Sequence, residues 1–213
     1  MNNKELLKEI EREIESIYLP LKVTSTNLVF GKGNPEAKIV FVGEAAGRNE
    51  DLQGLPFVGA AGKNLDKLLA SVGLSLDDVY ICNILKYRPP ENRDPLPKEI
   101  EAHAHYLMKQ IKVIRPKIVC SLGNYATKFF LAGGNVDDMK NQPGITQVHG
   151  KVRDIEMDTQ LEGHENLQAG GLKFKLIPLF HPAAIIYNRT KLTPLWEADM
   201  EVVKREIGVR ENI

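Results

Sequence analysis

Three carboxylates, Glu44, Glu50 and Asp51, fall within the single glycine-flanked stretch GEAAGRNEDLQGLPFVG at 43–59. Carboxylates repel phosphate, so this loop is a poor nucleotide cradle; it suits water activation or the balancing of a developing cation. A solvated acidic loop ahead of a helix is the plainer alternative. Phe57 follows in LPFVG, outside any regular apolar repeat, where its ring can either stack on a planar ligand or fill the core. Asn83 interrupts the apolar run VYICNI near its end. Its amide sets a donor beside an acceptor, the pair needed to read a pyrimidine edge, although a buried Asn can equally serve a neighbouring loop. His181 ends an apolar run and precedes Pro182, which favours extended backbone at a strand tip. Opposite an acidic loop, an imidazole there can stabilise a developing anion; alone, it can simply cap a loop.

Positive charge gathers in two further segments. Lys86, Arg88 and Arg93 lie in KYRPPENRDPLP, with Lys98 just beyond, and Arg189 and Lys191 follow the apolar pair Ile185 and Ile186. Each alone reads as an ordinary solvated charge. As a set, with Tyr187 and Asn188 between them, they suit phosphate contacts beside a segment inserted into a DNA groove.

The elements that must position these residues alternate. Leu6, Leu7, Ile10, Ile14 and Ile17 recur at helical spacing and predict an amphipathic helix ending before Pro20. Four short apolar runs predict strands buried on both faces: KIVFVG (38–43), DVYICNI (78–84), KIVCSL (117–122) and LKFKLIPLF (172–180). Helical patterns at 62–73, 97–114 and 124–132 separate them, and a last helix is expected from near Pro194. This order predicts an α/β fold, a three-layer α/β/α sandwich around a central, mainly parallel four-stranded sheet. Residues 133–171, with weak strand signals around ITQVHGKVRDIEM, are expected to form a hairpin and a mobile loop. The acidic loop, the RPP loop and His181 then follow strand ends, at the carboxyl edge where such sheets place their ligand crevice.

Composition narrows the classes. A chain of 213 residues, 43% apolar, supports one sizeable core, so residues 1–213 are expected to form a single domain. Lys plus Arg equal Asp plus Glu at 28 each, so any contact with nucleic acid must come from a local patch. The charged opening MNNKELLKEIEREIESI lacks the apolar stretch of a signal peptide, so none is expected, and no apolar run is long enough to span a membrane. A cytoplasmic, membrane-free protein is expected. Cys82 and Cys120 sit in apolar runs without metal-ligand spacing and read as buried hydrophobes. Neither the Rossmann glycine spacing nor a P-loop ending is present, which speaks against a nucleotide-dependent enzyme.

FGKGNPEAKIVFVGEAAGRNEDLQGLPFVGAAG, NILKYRPPENRDPLP and LFHPAAII, in that order, resemble the family-4 uracil-DNA glycosylases across nearly the whole chain. The resemblance implies a repair enzyme that flips uracil out of single- or double-stranded DNA and hydrolyses its N-glycosidic bond. It also implies a monomer acting at the nucleoid of a prokaryote, and leaves contact with a replication clamp open. Phe57 would then stack on the base, Asn83 read its edge and His181 bond its oxygen. Glu50, helped by Asp51, would orient water, while Glu44 and Ala45 close around C5 to exclude thymine. Lys86, Arg88, Arg93, Arg189 and Lys191 would grip DNA. That family usually holds a [4Fe–4S] cluster on four cysteines; here Ser16, Leu19, Tyr87 and His103 stand at those places, so no cluster and no other cofactor is expected. Ala45-Ala46 also departs from the family's usual Gly-Pro or Ala-Pro turn. Two rival readings are a glycosylase of relaxed specificity for other deaminated bases and a catalytically silent DNA-binding module of the same fold.

Overall fold

In the computed structural model, which describes residues 1–157 and 171–208, the strand-forming segments build one six-stranded sheet. In chain order the elements are α1 (Asn3–Ser16), β1 (Lys32–Gly33), β2 (Ile39–Gly43), α2 (Arg48–Gln53), α3 (Ala60–Ser71), β3 (Val79–Asn83), α4 (Pro97–Ile114) and β4 (Ile118–Leu122). There follow α5 (Asn124–Leu131), α6 (Ile145–Val148), β5 (Arg153–Met157), β6 (Leu172–Leu179), α7 (Pro182–Tyr187) and α8 (Arg189–Ile207). Strand order is β1-β3-β2-β4-β6-β5. The four expected strands are the central ones, and their pairings with one another are parallel. The expected count of four is corrected by two antiparallel edge strands, β1 on β3 and β5 on β6. β1 is two residues long, too short to leave a periodic signal, and β5 is mostly solvated, so neither carries a continuous apolar run.

Alternate residues of each central strand face opposite cores, as strand geometry requires. Val40, Val42 and Cys82 pack with α1, α4 and α5, while Ile39, Phe41 and Ile81 pack with α3, α7 and α8. Both faces are therefore covered, which is why the parallel strands read as unbroken apolar runs. α1 begins with an Asn2 capping box closed by Glu5 and buries Leu7, Ile10 and Ile14. α4 starts with Pro97 in its first turn and ends at Arg115 in the left-handed conformation, directly before Pro116.

Three local readings change. α2 occupies part of the stretch read as loop; six residues hold fewer than two turns and show no apolar period. The last helix starts at Arg189, five residues before Pro194, which it accommodates without the N–H bond that proline lacks. Residues 137–148 hold a 3-10 turn (Asp137–Asn141) and α6 rather than strand, so the expected hairpin reduces to β5 against β6. The expected mobile loop falls largely on 158–170, outside the described residues.

Candidate active site

The parallel register brings Gly43 of β2 beside Asn83 of β3, and the pairing continues past the strands: Ile84 and Leu85 donate to the carbonyls of Gly43 and Glu44, both at 3.0 Å. The acidic loop is thus fixed against the base of the RPP loop. On the other side, Leu179 of β6 accepts from the Gly123 amide at 2.8 Å, and Phe180 O accepts from Trp196 Nε1 at 2.7 Å. These bonds hold the strand tip from which His181 projects. Between the two lies a cavity of about 360 Å³ lined by Glu44, Ala45, Ala46, Gly47, Glu50, Phe57, Asn83 and His181, with Pro89, Asn92 and Arg93 at the RPP loop. That volume is ample for a single pyrimidine.

Each wall residue is held by identifiable partners. Glu50 lies in the first turn of α2, and its Oε1 accepts from the amides of Val58 (3.0 Å) and Gly59 (2.8 Å), directly before α3. The helix start thereby anchors a carboxylate rather than a phosphate. Phe57 adopts a left-handed backbone (φ 51°), an uncommon state for a bulky residue. Lys32 of β1 donates to its carbonyl at 3.0 Å, and Gly62 lets α3 approach so closely that an added Cβ would strike the same carbonyl. Its ring stands 5.7 Å from that of His181, centroid to centroid.

Asn83 is 1% exposed, and its Oδ1 has no hydrogen-bond partner. A Cβ at Gly43 would collide with this oxygen and with the Phe57 ring, so the glycine is what lets amide and ring meet. An orphaned buried carbonyl is costly and rare, and it implies a partner supplied from outside the chain.

His181 caps α7: its Nδ1 accepts from the Ala183 amide at 3.2 Å. An amide can only donate, so the neutral ring carries its proton on Nε2. Burial pushes its pKa down to about 4 against the opposing pull of Glu50, which keeps the imidazole uncharged at neutral pH. Glu44 is driven the other way: burial, reinforced by Asp94, raises its carboxyl to about 7.

Three expected site residues lie elsewhere or are otherwise engaged. Asp51 is buried and absent from the cavity; its Oδ1 accepts from the amides of Thr26 (2.8 Å) and Asn27 (3.2 Å). Successive residues of a helix point about 100° apart, so Glu50 and Asp51 cannot both face one site. Lys86, expected to touch DNA, is 0% exposed, with Nζ donating to Asn83 O at 2.7 Å and to Gln110 Oε1. It follows the buried residues Ile84 and Leu85, just beyond β3, and continues their burial. Arg93 reaches the cavity mouth, but its guanidinium is forked onto Glu99. Arg88 is half-buried, its Nε donating to Asn92 Oδ1 at 2.7 Å, whereas Arg189 and Lys191 are exposed. Lys32 was missed; only its place in GKG marks it, and nothing in that triplet foretells its reach to Phe57.

At the places the resemblance assigns to cluster ligands, Ser16 is exposed while Leu19, Tyr87 and His103 are buried. His103 Nδ1 accepts from the Lys86 amide (3.0 Å), its Nε2 lies 2.9 Å from Pro20 O, and Tyr87 packs edge-on against its ring. Four thiolates cannot come from a chain with two cysteines, both buried in the sheet, so these residues do not fit an iron–sulfur cluster. Among the described residues no group of three or more His, Cys, Asp or Glu is arranged to hold a metal.

One sheet edge thus gathers a carboxylate, an aromatic ring, a primary amide and a neutral imidazole around a single cavity. The chain belongs to the uracil-DNA glycosylase superfamily: the profile described as "Uracil DNA glycosylase superfamily" matches residues 30–201. It is 44% identical over 208 residues to the "Type-4 uracil-DNA glycosylase" of Archaeoglobus fulgidus, covering 97% of this chain and 96% of that protein. It is also similar to proteins of the same description from Thermotoga maritima (41% identity; 89% and 88% covered) and Sulfurisphaera tokodaii (40%; 86% and 76%).

Proposed function

We propose that the protein excises uracil from DNA, leaving an abasic site for base-excision repair. The observation that carries this reading is the unpartnered Oδ1 of Asn83, buried against Phe57 in the cavity that Glu50 and His181 also line. A flipped uracil offers an N3–H donor and an O4 acceptor, which the Asn83 amide matches with its oxygen and its NH2 group. Cytosine presents the reverse polarity and would leave buried groups unpaired. Phe57 stacks on the ring. As the bond between C1′ and N1 breaks, its electron pair stays with the base, and the Nε2–H of His181 faces the oxygen on which that charge gathers. Glu50, steadied by two amides, balances the sugar cation and orients the water that captures it. Glu44 and Ala45 close the cavity around C5 and exclude thymine.

The same reading gives Tyr187, 88% exposed at the end of α7, the role of wedge in the vacated stack, with Arg88, Arg189 and Lys191 gripping phosphate. It takes residues 1–213 as one glycosylase unit, acting as a monomer in the cytoplasm. It assigns no iron–sulfur cluster: the clasp of His103 between Pro20 and Lys86 does the pinning. No described helix is long and apolar enough to cross a membrane. The test is incubation with a uracil-containing oligonucleotide followed by alkali. Strand scission at uracil is expected; retarded mobility without scission would favour a silent DNA-binding module, and scission at other deaminated bases a relaxed glycosylase.

A further inference from the structure

Lys86 has no role in the chemistry described so far, yet its ammonium lies fully buried directly behind the residue that reads the base. Nζ donates to the main-chain oxygen of Asn83 at 2.7 Å and to Gln110 Oε1. Gln110 is fixed in turn, its Nε2 donating to Phe30 O (3.0 Å) and to the Tyr80 hydroxyl (3.4 Å). The lysine backbone is held on both sides, its amide by His103 Nδ1 at 3.0 Å and its carbonyl by the Val29 amide at 2.9 Å. Among the described residues no carboxylate pairs with this ammonium; its hydrogen-bond acceptors are neutral. A buried, uncompensated charge is among the costliest features a core can carry, and a methionine would fill the same space without that penalty.

Resting on the proposed uracil excision, we propose that Lys86 is a positioning residue: its buried ammonium, acting through Asn83, favours the departing base as an anion. The base leaves with the electron pair of the broken glycosidic bond, and only then does a negative charge stand on the far side of Asn83 from Nζ. A fixed positive charge in apolar surroundings is stabilised more in that transition state than in the ground state, which is the condition for raising the rate. Gln110 keeps the charge in place without neutralising it.

The test compares uracil with 5-fluorouracil, whose electron-withdrawing fluorine makes it the better anionic leaving group. Single-turnover release is measured from otherwise identical single-stranded oligonucleotides, for the parent and for Lys86→Met, Lys86→Arg and Gln110→Glu. Lys86→Met is expected to slow uracil release about tenfold but fluorouracil release by about threefold or less, with binding to abasic DNA unchanged. Gln110→Glu places a carboxylate on the ammonium and is expected to give the same selective loss. It carries the test should Lys86→Met fail to fold. Lys86→Arg keeps the charge and should keep the parental ratio. Equal slowing of both bases, or no slowing, would mark the lysine as merely structural and overturn the proposal. A parent that releases neither base would overturn the uracil reading itself, before any variant is compared.

Discussion

Glu50 and Asp51 are neighbours in sequence with separate work, and the difference lies in which amides they meet. Glu50 binds Val58 and Gly59 and faces the cavity; Asp51 binds Thr26 and Asn27 and ties the N-terminal loop to α2. Residue types made both plausible, and only the 100° turn per residue of a helix too short to be seen in the sequence separates them. Glu50→Ala and His181→Ala are each expected to slow base release by about a hundredfold or more in single-turnover assays. Affinity for uracil-containing DNA should stay within about threefold, because neither side chain grips the backbone. Asp51→Asn should leave the release rate nearly intact and appear instead as a loss of thermal stability. Asn83 and His181 stand out in the sequence because each interrupts or ends an apolar run with a residue that run does not need, and Phe57 because it lies outside any such run; the structure brings all three to one cavity. Lys86 was misread for the opposite reason: a lysine beside arginines reads as surface charge, and nothing local announces that Gln110 of α4 waits beneath it.

At the scale of elements, β2, β3, β4 and β6 were readable because parallel strands covered on both faces must be apolar throughout. β1 and α2 escaped because they are too short to repeat a period, although β1 carries Lys32 to the Phe57 carbonyl and α2 carries Glu50 to the cavity. The clasp between the segment after α1 and the start of the RPP loop is made by His103 of α4. Burial pushes this imidazole down to about 4 in the folded protein, against the ordinary value near 6.5. Its contribution to stability is therefore complete above about pH 6.5 and is lost as pH falls toward 4, because the unfolded chain binds the proton first; His181 acts with the same sign. The unfolding temperature is expected to drop between pH 7 and pH 4.5. The drop should be shallower in His103→Gln, a variant that starts less stable at pH 7. A parental unfolding temperature that stays flat over that interval would contradict a neutral, buried His103.

The whole molecule places four elements of unlike origin, α2, the turn before α3, the end of β3 and the tip of β6, around one hollow at the carboxyl edge of its sheet. Such convergence follows from parallel topology, which is why the location of the site could be read before its geometry. What the sequence concealed is the packing at the places the resemblance assigns to cysteine ligands, where Leu19, Tyr87 and His103 are buried. Protein purified anaerobically is expected to contain no iron and to show no visible absorption band near the blue; stoichiometric iron would contradict that assignment.

A hollow that takes one extruded pyrimidine read by Asn83 must respond when the donor side of that amide becomes an acceptor. Asn83→Asp should be compared with the parent on oligonucleotides that differ only in carrying uracil or cytosine. The parent should release uracil and leave cytosine untouched, while the variant loses at least about tenfold on uracil and gains measurable release of cytosine. A variant that kept the parental uracil rate and still ignored cytosine would contradict this reading, for the amide at the end of β3 would then not be what recognises the base.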